Sequence, residues 1–129
     1  MPMTLAAEIM EWYGDLKAYR YRDFTDGVLT INCARYQLPF GHTDNQRGAG
    51  ECWVLVLQRL NSTQPGSGRF KQVLTELEVA NPPGMMIQSL ELGGRLMHHL
   101  DNRKAGWEPN DNGASRIRWH VENDQPTAA

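Results

Sequence analysis

A short glycine turn is the stretch of this sequence best suited to bind an anion. It reads Pro65-Gly66-Ser67-Gly68, and it lies between an apolar run typical of a strand and a helical pattern that begins at Arg69. The free N–H groups and the positive dipole end of a helix converge on such a turn, and glycine lets the backbone bend there. The order strand, glycine turn, helix therefore predicts a site for a phosphate or another anion.

Three known phosphate or nucleophile motifs do not fit this turn. The dinucleotide fingerprint needs a third glycine where Lys71 stands, and the P-loop needs Gly-Lys followed by Ser or Thr, which is absent. A nucleophile elbow needs glycine at the positions of Pro65 and Arg69, so Ser67 is not supported as a nucleophile. A tight turn without a ligand stays open as the alternative.

Histidines and cysteines add no metal or disulfide site. His98 and His99 are adjacent, which places them about 100° apart on a helix, so they cannot both face one metal. Cys33 and Cys52 lie on two predicted strands and fit no Cys-x-x-Cys pattern. We expect both to be reduced thiols in the core.

The segment Glu51–Phe70 organises the elements that must position the turn. From Cys52 to Leu57 both alternating faces are apolar, which predicts a strand buried on both sides in a sheet covered by helices. Apolar residues at i, i+3, i+4 and i+7 then predict an amphipathic helix, with the stripe Phe70, Val73, Leu74 and Leu77. This helix must stop before Asn81-Pro82-Pro83-Gly84, because proline cannot continue a helix.

The part of the chain before this segment predicts one helix, one strand and a long polar loop. The helix begins after an N-cap at Thr4, frays near Arg20–Asp23, and carries the stripe Leu5, Ile9, Trp12, Tyr13 and Leu16. The strand covers Val28–Leu38 and ends at Pro39, and the glycine-rich loop covers Phe40–Gly50.

The part after it predicts two more strands with a third helix between them. The first strand covers Met85–Leu92. The helix that follows carries Leu96, Met97 and Leu100, with Arg103 and Lys104 in its last turn and Gly106 at C′, and we expect Trp107 to pack on the core. A turn-rich loop at Glu108–Ser115 then leads to the last strand, Arg116–Val121, with Ile117, Trp119 and Val121 pointing inward.

This order predicts an α/β (α+β) fold: an N-terminal helix, then a mixed central sheet whose second half is β-α-β-α-β. A strand–helix–strand crossover with a short linker implies two neighbouring parallel strands with a right-handed connection, while the earlier hairpin-like pair makes the sheet mixed. We expect a single domain over residues 1–121 and a flexible tail over 122–129.

Composition limits the classes of partner. The 129 residues are 40% hydrophobic and 22% charged with a formal net charge of −2, too neutral to be drawn to nucleic acid by charge alone. No segment approaches about 18 apolar residues and the start has no cationic n-region, so we expect a soluble, cytoplasmic protein with neither a nucleic-acid nor a membrane partner.

At its glycine turn the chain resembles the GNAT family of N-acyltransferases, over roughly residues 51–107. Gly66-Ser67-Gly68 matches the glycines of the family's Arg/Gln-x-x-Gly-x-Gly/Ala turn, which holds the pyrophosphate of acyl-coenzyme A. Arg95-Leu96, Leu100 and Gly106-Trp107 resemble the closing helix, and Glu51 stands at the strand start where some members keep a general base. The resemblance implies a GNAT-like sheet and acetyl-coenzyme A as co-substrate.

The chain departs from the family pattern at three positions. Thr63 occupies the Arg/Gln position, Asn102 replaces the tyrosine that many members place four residues before the closing glycine, and Gly94 stands where an asparagine often begins the last helix. The segment before the turn is also abbreviated, as in small phage-encoded members.

The resemblance implies the following roles. Glu51 is the first candidate for the base that deprotonates an amine acceptor, a small molecule or a protein, with His42 and Glu91 behind it. A backbone N–H near Leu57 or Gln58 would meet the oxyanion. The implied cofactor-binding set is Leu57, Arg59, Pro65, Gly66, Ser67, Gly68 and Arg69, with Lys71 as a further cation.

The acceptor pocket is expected beside the loop Phe40–Gly50 and the N-terminal helix. Three hypotheses remain open: an active acetyltransferase, a GNAT-fold protein that binds coenzyme A or a protein partner without turnover, and an unrelated small α/β interaction protein.

Overall fold

The described residues form a mixed six-stranded sheet with a ten-residue and a twelve-residue helix packed on one face. The computed structural model describes residues 3–39, 51–64, 68–88, 98–110 and 115–120. The elements are α1 (Leu5–Gly14), β1 (Tyr21–Thr25), β2 (Leu29–Pro39), β3 (Glu51–Ser62), α2 (Arg69–Ala80), β4 (Gly84–Gln88), β5 (Trp107–Asn110) and β6 (Ser115–Trp119). The sheet order is β1-β2-β3-β4-β6-β5.

The central strand β3 confirms the main prediction from the sequence. It pairs antiparallel with β2 and parallel with β4, so the sheet is mixed and the crossover through α2 joins neighbouring parallel strands. Val54 and Val56 on one face and Leu55 and Leu57 on the other are fully buried. A strand with apolar residues on both faces is stable only at the centre of a sheet.

Two apolar clusters lie on opposite faces of this sheet. The larger one joins both helices to the first face, and its buried members include Ile9, Ile31, Leu55, Leu74, Leu77 and Ile87. The second cluster contains Ala34, Val54, Val56, Met86, Ile117 and Trp119. Ile117 and Trp119 are buried as predicted, whereas Val121 lies outside the described residues.

The helix α1 begins as predicted and ends earlier. The hydroxyl of Thr4 accepts a hydrogen bond from the N–H of Ala7 at 3.1 Å, and it caps the helix. The prediction that the helix frays near Arg20–Asp23 is wrong, because the helix ends at Gly14 and residues from Tyr21 onward form the edge strand β1. Leu16, placed on the apolar stripe, is instead 60% exposed.

The region after β4 also departs from the prediction. Residues 98–101 are helical, but the helix ends there rather than at Lys104, and Gly106 with φ +97° leads into β5 instead of capping the helix. Part of the predicted loop Glu108–Ser115 is strand, since β5 runs to Asn110. Trp107 packs against the first cluster as expected.

A polar network ties this region to α2. The carboxylate of Glu78 accepts hydrogen bonds from Arg103 and from the indole N–H of Trp107, the latter at 2.7 Å. Burial alone would raise the pKa of Glu78, but these hydrogen bonds outweigh it and lower the pKa. The network therefore joins α2, the segment after the closing helix and β5 around an ionised carboxylate.

Several predictions lie outside the described residues: the loop Phe40–Gly50 with His42, the turn Pro65-Gly66-Ser67, the segment with Glu91, Gly94, Leu96 and Met97, and the tail 122–129. Cys33 is a free, buried thiol, as predicted. Within the described ranges, no helix is long and apolar enough to cross a membrane.

Candidate active site

The central strand β3 contains a bulge at the position where the chemistry was expected. Asn32 of β2 pairs with Arg59, but the next residue, Cys33, pairs with Leu57, so Gln58 is an extra residue without a partner on β2. A bulge interrupts the hydrogen-bond ladder and re-aims the backbone, and bulges are common beside active sites. Of the two residues predicted to meet an oxyanion, Gln58 is thus released from pairing with β2, whereas Leu57 stays paired with Cys33 and with Ile87 of β4.

A chain of hydroxyl groups starts at the bulged residue. The amide Nε2 of Gln58 lies 3.4 Å from the hydroxyl of Tyr36, which donates to the hydroxyl of Tyr21 at 3.1 Å. The hydrogen bond with Tyr21, together with burial, raises the pKa of Tyr36. The Tyr36 hydroxyl therefore joins the bulged residue to Tyr21 through two hydrogen bonds.

The N-terminus of α2 has several features that favour an anion. Gly68 is its N-cap, with φ +82° in the left-handed region, and within the described part of the chain no side chain caps the helix there. The first turn carries no acidic residue but does carry Arg69 and Lys71. Free N–H groups, the helix dipole and two cations thus coincide at this end. The preceding residues Pro65, Gly66 and Ser67 lie outside the described residues.

The two arginines predicted to bind the cofactor, Arg59 and Arg69, differ in how free they are to contact a ligand. Arg69 pairs with Asp26 at 3.6 Å across partly exposed side chains. The backbone N–H groups of Leu29 and Val28, followed by Arg69, lower the pKa of Asp26. Arg59 is exposed on β3, and Leu57 is fully buried, so Leu57 has only its backbone to offer a ligand.

Glu51 lies far along the strand from the bulge. It begins β3 opposite Pro39, and its side chain is outside the described part. Six residues separate it from Leu57, which is roughly 20 Å at the rise of a strand. A carboxylate at that distance cannot contact an amine that attacks a carbonyl held at Leu57, so the two predicted roles do not share one centre. Glu51 as the base stays a prediction.

The closing helix offers no acid at the position of the missing tyrosine. The amide of Asn102 lies 3.0 Å from the ring of His98, while the ring of His99 lies 3.4 Å from Arg103. Burial, followed by the charges of Arg103 and Lys71, lowers the pKa of His99. The two histidines have separate partners, and no metal-binding cluster occurs among the described residues.

An open pocket of about 510 Å³ lies at the C-terminal end of α1. It is formed by the connection between α1 and β1, by the buried Arg35 of β2 and by Trp53 of β3. An acceptor site was expected beside the N-terminal helix, but neither Arg35 nor Trp53 was predicted to line it. The contact between Tyr36 and Gln58 was not predicted either. The bulge at Gln58 could not be predicted from the sequence, because a bulge depends on the register with the neighbouring strand.

The comparison with solved structures identifies the fold. A structure titled "AtaT complexed with acetyl-methionyl-tRNAfMet", a protein of GNAT fold, superposes on 78% of this chain and 71% of its own with a TM-score of 0.55 and 10% sequence identity. No protein-family model and no curated protein matches the sequence. An identity this low carries information about the fold alone. The chain has a GNAT-like fold, with its mixed six-stranded sheet and the α2 crossover from β3 to β4.

Proposed function

We propose that this protein is an N-acetyltransferase that moves an acetyl group from acetyl-coenzyme A to an amine. The observation that carries the proposal is the bulge at Gln58, which interrupts the central strand next to the parallel pair of a GNAT-like sheet. The N-terminus of α2 is the second support, because its free N–H groups suit the pyrophosphate of the co-substrate.

The chain's own groups supply binding and polarisation. The N–H groups at the start of α2, together with Arg69 and Lys71, hold the pyrophosphate. A backbone N–H at Leu57 or Gln58 donates to the thioester oxygen as it becomes negative, a contribution worth about 10²- to 10³-fold in rate for one donor. Holding amine and thioester side by side supplies much of the remaining acceleration.

Proton transfer completes the reaction. The amine nitrogen forms a bond to the carbonyl carbon, the C–S bond breaks, and the departing thiolate takes a proton. Tyr36, whose hydroxyl accepts a hydrogen bond from Gln58 at 3.4 Å, is our candidate donor in place of the tyrosine absent at Asn102. Solvent accepts the proton that the amine loses, because Glu51 begins β3 roughly 20 Å along the strand from Leu57.

Gly68 provides a matched test of the anion site. The variant Gly68→Asp places a carboxylate at the start of α2, where it interacts with the helix dipole and repels phosphate, whereas Gly68→Asn has the same shape without the charge. Both side chains tolerate the left-handed backbone. We expect Gly68→Asp to raise the stability of the free protein relative to Gly68→Asn by about 0.3 to 1 kcal/mol.

The same pair should respond oppositely to acetyl-coenzyme A. At about 100 times the dissociation constant the ligand adds roughly 2.7 kcal/mol to the stability of the wild type, which a melting scan detects as several degrees. Gly68→Asn should keep a shift and Gly68→Asp should lose it. An equal shift in both variants, or none in the wild type at millimolar ligand, would contradict the proposed site.

A second candidate is a GNAT-fold protein that binds coenzyme A without turnover. The pairing of Asn102 with His98 favours it, because no acid stands where many family members place their tyrosine. Tyr36→Phe separates the two, since it removes one hydroxyl from the surface of the sheet. In an active enzyme it should lower acetyl transfer at least tenfold and leave the ligand-induced shift unchanged.

The acceptor can be sought by intact mass spectrometry with small amines, peptides and aminoacyl-tRNA. The last class is included because the AtaT structure contains acetyl-methionyl-tRNAfMet. Our expectation from the net charge of −2 is that a small molecule or a protein is the acceptor. A mass increase confined to one class identifies it, and no increase in any class favours the second candidate.

A further inference from the structure

The pocket at the C-terminal end of α1 is assembled around a buried arginine. Arg35 is 2% exposed, and its guanidinium donates to the backbone carbonyls of Trp12, Tyr13 and Asp15, at 2.9, 3.2 and 2.6 Å. Its second terminal nitrogen donates to the carbonyls of Ala18 and Tyr19 at 2.6 and 3.4 Å. One side chain therefore fixes the last turn of α1 and the segment that forms the pocket wall.

Other contacts make the same wall rigid. The indole N–H of Trp12 donates to the carbonyl of Tyr19 at 2.9 Å, and the backbone N–H of Arg35 donates to the carbonyl of Arg20 at 3.0 Å. The Arg35 guanidinium also lies over the ring of Trp12, 4.8 Å from its centre. A pocket whose walls are held in this way is largely formed before any ligand arrives.

The positive charge of Arg35 has no carboxylate partner within the described chain. None of the ion pairs among the described residues includes Arg35, and its Nε is buried without a hydrogen-bond partner. The backbone carbonyls at and after the end of α1 offset part of the guanidinium charge, and no carboxylate of the described chain pairs with the rest. Burying a charge that is only partly offset costs free energy, and an anion that approaches the guanidinium would lower this cost.

The remaining lining adds to this positive potential. Lys17 and Arg20 line the pocket with exposed side chains, and no aspartate or glutamate of the described residues lines it. Asp15, which directly precedes the lining segment, is exposed, and its carboxylate accepts the backbone N–H of Lys17 at 3.1 Å. Three cations around one open cavity favour an anionic ligand.

Aromatic rings form the other part of the lining. Tyr19 is 77% exposed and Tyr21 is 39% exposed, with ring centres 5.8 Å apart, and Trp53 lies on the same pocket. Large rings left exposed around a cavity are suited to pack against another flat ring, and such stacking contributes about 0.5 to 1.5 kcal/mol for a pair beyond the area it buries. Ring packing and positive charge are thus available at the same place.

We propose that this pocket binds a small organic anion that carries a flat ring, with its negative group directed towards Arg35, Lys17 and Arg20. A carboxylate and a phosphate both satisfy this chemistry, and the volume of about 510 Å³ suits a small ligand of either kind. The pocket is distinct from the bulge, because Trp53 precedes Leu57 by four residues, or roughly 13 Å along β3.

One part of this inference rests on the proposed function. If the protein is an acetyltransferase, the pocket anchors the far end of the acceptor, whose amine must then reach roughly 13 Å along β3 to the thioester. Binding of the anion itself requires no co-substrate, so it can be measured independently of turnover.

The test is a titration followed by tryptophan fluorescence and by NMR, without coenzyme A. The probes are phenylacetate and its neutral analogue phenylacetamide, AMP and its neutral analogue adenosine, and acetate as an anion without a ring. We expect at least one of the two ring-bearing anions to bind about fivefold or more tightly than its neutral analogue and than acetate. Which of the two binds better distinguishes a carboxylate ligand from a phosphate ligand.

Two charge reversals form a matched pair of variants. Arg20→Glu changes an exposed arginine of the lining, while Arg22→Glu changes an exposed arginine two residues away that does not line the pocket. Arg20→Glu should weaken binding of the anion about fivefold, and Arg22→Glu should leave it within about twofold. Both side chains are on the surface, so both variants should fold.

Three results would overturn the proposal: neutral and charged probes that bind equally, neither ring-bearing anion binding at millimolar concentration, or equal effects of the two arginine variants. If the wild type binds the anion but shows no acetyl transfer, the result would count against the proposed function alone.

Discussion

Two buried arginines on opposite halves of the sheet are neutralised in different ways. Arg118 of β6 donates to the carbonyl of Ala105, the side-chain oxygen of Asn81 and the carbonyl of Glu78 at 2.6, 3.0 and 3.4 Å. Burial lowers the pKa of Arg118, and the nearby negative charge of Glu78 acts against that change. Arg35 of β2 has backbone carbonyls alone as hydrogen-bond partners within the described chain, and it borders an open pocket.

The difference indicates that Arg118 has a structural role, whereas the charge of Arg35 is only partly offset by its neighbours. Around Arg118 the carboxylate of Glu78, with Arg103 and Trp107, completes a network between packed elements, so no external ion is required. Around Arg35 the dipoles of α1 offset part of the charge, and the rest faces a cavity lined by Lys17 and Arg20. The first half of the sheet thus carries the pocket that we propose for an anionic ligand.

The largest effect is expected at Arg35. Arg35→Met fills a similar volume but removes the donors for carbonyls at the end of α1, and each buried carbonyl left without a partner costs about 1 to 3 kcal/mol. We expect a loss of about 3 to 5 kcal/mol in the free energy of unfolding, measured by urea denaturation. A loss below about 1 kcal/mol would mean that water replaces the guanidinium and that the wall of the pocket does not depend on it.

Glu78→Ala should have the next largest effect. It leaves Arg103 and the Trp107 indole without their acceptor and Arg118 without its nearby negative charge. We expect a loss of about 2 to 3 kcal/mol, less than a fully buried pair would give because Arg103 is partly exposed. Urea denaturation of Glu78→Ala and Arg35→Met under the same conditions compares the two losses in the free energy of unfolding. A larger loss for Glu78→Ala would reverse the expected order.

The pH dependence of Glu78 gives the smallest and most specific effect. Its pKa is lower in the folded protein than its ordinary value of 4.5, so ionised Glu78 contributes stability above about pH 5. That contribution is lost as the pH falls through the folded pKa. The difference in unfolding free energy between the wild type and Glu78→Gln should therefore shrink steadily from about pH 6 towards about pH 3. A difference that does not change over this range would show that Glu78 acts through shape rather than charge.

The elements that the sequence predicted correctly are those with a clear apolar pattern. β2 alternates and α2 has a stripe with prolines after its end, so both could be bounded within one or two residues. β3 is apolar on both faces from Cys52 to Leu57, but the strand continues to Ser62, beyond the run that predicted it. The two strands that were missed, β1 and β5, are the edges of the sheet. In β1 only Phe24 is buried, and β5 contains Pro109, which an edge strand tolerates.

The candidate site was predictable only in part. Gly68 and the start of α2 follow from local turn and helix rules, because glycine at a positive φ and an amphipathic stripe are properties of neighbouring residues. Gln58, Tyr36 and Arg35 carry no such signal, because their roles arise from partners that lie 15 to 23 residues away in the chain.

The sequence by itself determined the mixed α/β order, the buried central strand and the position of the glycine turn, since each depends on the period of apolar residues or on the backbone freedom of glycine. Tertiary structure alone decided the bulge, the hydroxyl chain and the arginine-lined pocket. Strand register and the end of α1 set these three features, and both are fixed by packing between segments distant in the chain.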